Sequence, residues 1–203
     1  WDLRGAAGIS GPGYGNKAYA LPHDLLADAR GEDELAAWFT DGGAGLPGLG
    51  AVLETDAIRS IARFVVEVRD GALPHPDWIW ELRANSPGNY ALGPGADAAR
   101  GGALFAERCA DCHGADGTEL LFDDGAYSLG THARQKAYED WFKILNGQPG
   151  TDMGRQVDGD ARAMGQQILD LLAALCDRAA FPPGAASGAD VADGDPRCGA
   201  YLR

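Results

Sequence analysis

Five consecutive residues, Cys109-Ala110-Asp111-Cys112-His113, limit what this 203-residue chain can be more than any other feature. Two cysteines three positions apart share one face of a helical turn, with an imidazole beside them. Cys-x-x-Cys-His is the pattern that tethers a c-type haem: both thiols add to the vinyl groups of one porphyrin, and the histidine ligates its iron. With four Cys and four His in the chain, a chance match has a probability on the order of one in a thousand. Two other uses of the pair stand beside this one. A zinc ribbon needs a second close cysteine pair, and Cys176 and Cys198 are far apart in the chain. A thioredoxin-like dithiol wants a surrounding βαβ pattern, whereas the flanks here read helical. The expectation is therefore one haem c, its iron held by His113 and its thioethers by Cys109 and Cys112.

The rest of the chain has to fold around that cofactor. Thirty glycines and eleven prolines make up about a fifth of the residues, which predicts short helices joined by long irregular loops rather than sheets, an all-α fold. Thirty acids against seventeen bases give a net charge of −13, with no Lys/Arg cluster. Nucleic acid and anionic lipid are poor partners for such a surface. It would steer the protein toward redox partners with a basic docking patch, or serve solubility alone. No apolar run approaches the roughly 18 residues needed to span a bilayer, so no transmembrane segment is expected. Trp1-Asp2-Leu3-Arg4 does not read as a signal peptide, and the chain is expected to start at or beyond a processed N-terminus of an exported, periplasmic protein.

Gly101 and Phe105 before the motif, Gly114 and Gly117 after it, the run Asn146-Gly147-Gln148-Pro149-Gly150-Thr151-Asp152-Met153 and a C-terminal apolar helix together resemble class I c-type cytochromes. The resemblance covers roughly residues 96–177. It implies a cytochrome c-like fold whose N- and C-terminal helices cross beside a largely buried haem, His and Met as axial ligands, and electron transfer rather than enzymatic catalysis. Of the two methionines, Met164 falls in the stripe Met164, Ile168, Leu171, Leu172 and Leu175, which marks it as core. Met153 sits in a Gly/Pro-rich loop and is the expected sixth ligand, with His132 as runner-up. His23 and His75 are expected to be structural or solvated. Thioether ligation favours the ferrous state and predicts a comparatively high potential. The family often has a proline soon after the motif whose carbonyl takes the proximal histidine N–H. Here no proline occurs between His113 and Pro149, which leaves that partner open.

A second pattern runs through the first half. Ile58, Ile61, Phe64, Val65 and Val68 form another helical stripe, and an offset of 107 lays Ile61 on Ile168, Phe64 on Leu171, Val65 on Leu172 and Val68 on Leu175. Trp38-Phe39 parallels Trp141-Phe142, and Gly5-Ala6-Ala7-Gly8 parallels Gly114-Ala115-Asp116-Gly117. A repeat of about 105 residues fits these matches; two unrelated amphipathic segments are the alternative. On the repeat, Arg4 stands for His113, Leu3 for Cys112 and Leu46 for Met153. Two tandem cytochrome-like lobes are therefore expected. Residues 1–88 form a degenerate lobe without haem, 89–181 the haem-binding domain and 182–203 a tail. The turn Asn85-Ser86-Pro87-Gly88-Asn89 marks the boundary, and Trp78-Ile79-Trp80 is expected to pack between the lobes.

A Cys176–Cys198 disulfide would close a loop of about twenty residues and secure the tail, in keeping with an oxidising compartment; two free buried thiols are the alternative. The leading expectation is periplasmic electron transfer through one haem. A cytochrome subunit docked permanently in a larger periplasmic oxidoreductase complex is the second, and a haem enzyme or sensor with an open iron site the third.

Overall fold

Glu32, Asp33 and Glu34 fill the first turn of α1 (Glu32–Asp41), where carboxylates offset the positive end of the helix dipole. The helix stops at Gly42, whose φ of +81° favours glycine and whose N–H caps the Trp38 carbonyl. A short antiparallel pair, β1 (Gly42–Gly43) with β2 (Leu46–Pro47), turns the chain toward α2 (Thr55–Arg69). Leu35, Ala36 and Phe39 of α1 form one core with Leu25 and with Ile58, Ala62 and Val65 of α2. The buried face of α2 runs Ile58, Ala62, Val65, Val68, so Ala62 occupies the stripe where Ile61 was expected, and Ile61 is 38% exposed.

This computed structural model describes residues 2–9, 23–84 and 86–203. Trp1 and Asn85, on which parts of the terminus and boundary expectations fall, lie outside the described residues. The chain divides into two compact units, one ending at Pro76 and the other running from Asp77 to Arg203. The division falls ahead of the expected turn at Gly88. The reason is that β3 (Trp80–Leu82) pairs antiparallel with β4 (Tyr90–Leu92), Trp80 opposite Leu92, and carries this segment into the second unit. Trp78-Ile79-Trp80 accordingly packs inside that unit. The Arg162 guanidinium lies 3.7 Å over the Trp78 ring, and Trp80, Tyr90 and Tyr138 meet edge to face.

Four helices follow: α3 (Ala98–Arg108), α4 (Ala110–His113), α5 (Leu129–Asn146) and α6 (Ala161–Leu175). Asp97, Ser128 and Asp160 cap α3, α5 and α6 through their side-chain oxygens. α3 crosses α6 at Gly101, where a β-carbon would come within 1.9 Å of the Asp170 carbonyl oxygen. No other residue type fits so close a crossing. The Asp170 carboxylate locks it, accepting from the Asp97 N–H at 2.7 Å and from Arg100 Nε at 2.8 Å. Met164 is buried in α6 with Ile168, Leu171, Leu172 and Leu175, the core role its periodicity assigns.

The last segment is woven into the second unit. Cys176 and Cys198 form a disulfide, Cα to Cα 5.9 Å, across 22 positions, a closure worth roughly 3 kcal/mol in loop entropy. The fully buried Arg134 holds the Asp190 carboxylate at 2.8 Å and donates to the Leu175 and Phe181 carbonyls. The fold is mainly helical, as composition leads one to expect, and the β1–β2 and β3–β4 pairs are the departure from an all-helical chain. No helix among the described residues is long and apolar enough to cross a membrane.

Candidate functional site

Cys109 leaves helical geometry at φ −120° and joins α3 to the single turn of α4. Its carbonyl accepts the N–H groups of both Cys112 (3.2 Å) and His113 (3.0 Å), so the three motif residues share one tight turn. Both thiols are free, Cys109 half-buried and Cys112 exposed. Burial pushes the Cys109 thiol up to about 11, overcoming the opposite pull of Arg108. His113 is half-buried, and burial lowers its pKa against the raising charge of Asp140. Its Nδ1 is buried and has no hydrogen-bond partner among the described residues.

The loop after the motif brings aromatic rings to the imidazole. The Phe122 ring lies 6.0 Å from that of His113 and 5.6 Å from that of His132, centroid to centroid, and Tyr127 meets His132 edge to face at 5.7 Å. His132 is 2% exposed. Its Nδ1 is 2.9 Å from Asp140 Oδ1, and its Nε2 is 3.7 Å from Glu139 Oε2. Eight residues span about 12 Å of a straight helix. The break in α5 at Lys136, where φ is −134°, allows Asp140 to reach back to His132. Both ring nitrogens of His132 thus face carboxylates.

Met153 lies half-buried in the loop after α5. Gly147 ends that helix at φ +79°, and a β-carbon there would sit 2.4 Å from the Met153 carbonyl oxygen. The loop folds back through Gln148 N–H to the Met153 carbonyl (2.9 Å) and Gln156 N–H to the Ile144 carbonyl (2.9 Å). Arg108, the residue before Cys109, then joins the two halves of the site. Its Nη1 donates to the Gln156 carbonyl at 3.0 Å, and its Nη2 pairs with Asp158 at 3.0 Å.

Arg108 and Asp140 escape the sequence reading, because neither belongs to a motif and both act through contacts made by distant chain segments. Among the described residues no three His, Cys, Asp or Glu side chains gather into a metal-holding group, whereas a haem iron needs two axial ligands. A separate open cleft of about 630 Å³ lies between the β3–β4 hairpin and residues 196–201 and contains none of the motif residues.

In the first unit, Leu3 and Leu46 pack against the α1–α2 core. Arg4 is 3.9 Å from the Asp24 carboxylate. The cap of α1 on Gly42 and that of α5 on Gly147 have the same form, a glycine at φ near +80° donating to the carbonyl four residues back. Their spacing of 105 sets Leu35, Ala36 and Phe39 opposite Asp140, Trp141 and Ile144, buried residues in both helices.

No protein-family model, curated protein or solved structure matches this chain.

Proposed function

We propose that the second unit holds one haem c, joined through Cys109 and Cys112 and ligated by His113 and Met153, and that the protein passes single electrons between periplasmic redox partners. The observation that carries this reading is the Arg108 bridge, which ties the Met153 loop to the turn bearing two free thiols and an imidazole. The donor set fits the group: two thiols one turn apart, and a histidine whose buried Nδ1 has no partner. When bound, the haem supplies one-electron ferric–ferrous chemistry.

The residues of this chain bind and orient. Cys109 and Cys112 fix the porphyrin edge to α3–α4. Gly101 and Asp170 set the α3–α6 crossing that positions the turn. Gly147 aims the Met153 loop.

The first unit is read as a cytochrome lobe that has lost its haem. It keeps the helix, glycine turn and helix of the second unit, and Leu3 and Leu46, standing where Cys112 and Met153 would be, are packed against its core. Val52, Leu53 and Ile61 of this unit are exposed at 75%, 39% and 38%. These apolar side chains favour a second reading, in which the protein is the cytochrome subunit of a larger oxidoreductase and the first unit is its interface.

An alkaline pyridine haem count with an intact mass tests the proposal. One haem per chain is expected. Two would overturn the haem-less lobe, and none would overturn the function. Gentle size-exclusion of native material separates a free carrier from a complex subunit.

A further inference from the structure

We propose that Leu120 and Leu121, with the acids around them, form the docking face of the second unit for a redox protein that presents an apolar contact ringed by lysine and arginine. This rests on the electron-transfer reading above and adds to it where such a partner binds.

The loop after the motif stays close to it. Glu119 donates its N–H to the His113 carbonyl at 3.1 Å, and the Phe122 ring is 6.0 Å from the imidazole. Between these two anchors stand Leu120 and Leu121, 45% and 39% exposed. Among the described residues of the second unit, only Leu82 is a comparably exposed large apolar side chain. Leu121 lies over the turn at Gly125, where a β-carbon would be 4.0 Å from its Cδ1. Adjacent exposed leucines within a polar rim mark a contact surface. The rim here has one sign. Residues 109–127 hold five acids and no Lys or Arg. Asp111, Glu119, Asp123 and Asp124 are exposed. Lys136 pairs with Asp123, and the other three have no ion-pair partner among the described residues.

An apolar centre inside a charged rim is the anatomy of a specific interface, and the sign of the rim selects the partner. A basic protein is attracted. A second copy of this chain, at −13, is repelled, and a porphyrin would bring its own carboxylates against these acids. Two leucines bury far less than a permanent interface needs, which suits the short encounters of an electron carrier.

The test mixes the ferrous, haem-loaded protein with a ferric mono-haem cytochrome of net positive charge whose haem edge is ringed by lysines. One electron passes, the haem of this chain becoming ferric and that of the probe ferrous, and stopped-flow absorbance gives the second-order rate. That rate is expected to fall about tenfold between about 20 mM and about 200 mM salt. Leu120→Ser combined with Leu121→Ser should slow it about tenfold at either salt. Asp111→Asn, Glu119→Gln and Asp124→Asn together should slow it about fivefold at low salt only. Leu82→Ser and Glu81→Gln, on the β3–β4 hairpin, should leave it within about twofold. Loop variants without effect, or hairpin variants that slow it equally, overturn the inference and leave the haem reading standing. Leu121 methyl resonances with a strong haem ring-current shift would show the porphyrin covering the patch, and a dimer in sedimentation that the two serines dissolve would show a second copy there; either result overturns it. If the chain carries no haem, the electron-transfer reading falls and amide shifts on adding the same probe decide the surface. Shifts confined to residues 111–124 are expected, and shifts elsewhere or none overturn it as well.

Discussion

Arg108 and Gln156 are joined by one hydrogen bond, Nη1 to the main-chain oxygen at 3.0 Å, and it connects the residue beside Cys109 to the loop just past Met153. Arg108 is 26% exposed and also pairs with Asp158. Arg108→Ala should cost about 1 kcal/mol of stability by urea unfolding. On the proposed haem ligation, it should also weaken the far-red methionine–ferric band of the oxidised protein. An unaltered band would mean that the loop holds its place without Arg108.

The two methionines should respond in opposite ways. Met153→Ala is expected to abolish that band and lower the potential, with a stability loss below about 1 kcal/mol for a half-exposed loop side chain. Met164→Ala should leave the band and cost about 2–5 kcal/mol, because it opens a cavity beside Ile168 in α6. Absorbance and urea midpoints on both variants check the assignment, and exchanged outcomes would reverse it.

At the α3–α6 crossing, Gly101→Ala drives a methyl group into the Asp170 carbonyl. Helix separation should cost about 3 kcal/mol or more. Gly102→Ala, one position on, meets nothing within 4 Å and should be neutral or slightly stabilising in a helix. Thermal unfolding of the pair isolates the close approach from helix propensity.

Acid stability of the first unit depends on Asp28. Burial alone would raise its pKa, yet hydrogen bonds from Arg30 and His23 outweigh that and bring it from 3.8 to about 2. A carboxyl held lower in the folded state stabilises fully above its unfolded value and loses that contribution as pH falls. The stabilisation is therefore complete above pH 4 and gone once pH drops through about 2, on the order of 2 kcal/mol. Urea midpoints for the parent and Asp28→Asn should converge between pH 4 and pH 2. Parallel curves over that range would contradict the shift.

What could be read from the sequence was local. The Cys109–His113 turn is a five-residue spacing, Met164 lies in a 3.6-residue period, and the disulfide joins the two cysteines outside the motif. Contacts that depend on departures from regular geometry could not be read. The His132–Asp140 pair requires the break at Lys136, which no Gly or Pro announces. Ile61 and Ala62 are adjacent in α2, and the packing of α1, not hydrophobicity, selects the smaller one for the core. The β3–β4 pair was hidden behind a turn that resembled a linker.

The four cysteines are sorted by their surroundings. Cys176 and Cys198 are already closed on each other. Cys109 is half-buried, with its thiol pushed up to about 11 by that burial, and Cys112 is exposed. Pairing of the cysteines is thereby settled by position: the two that meet are joined, and the two in the Cys109–His113 turn remain free thiols.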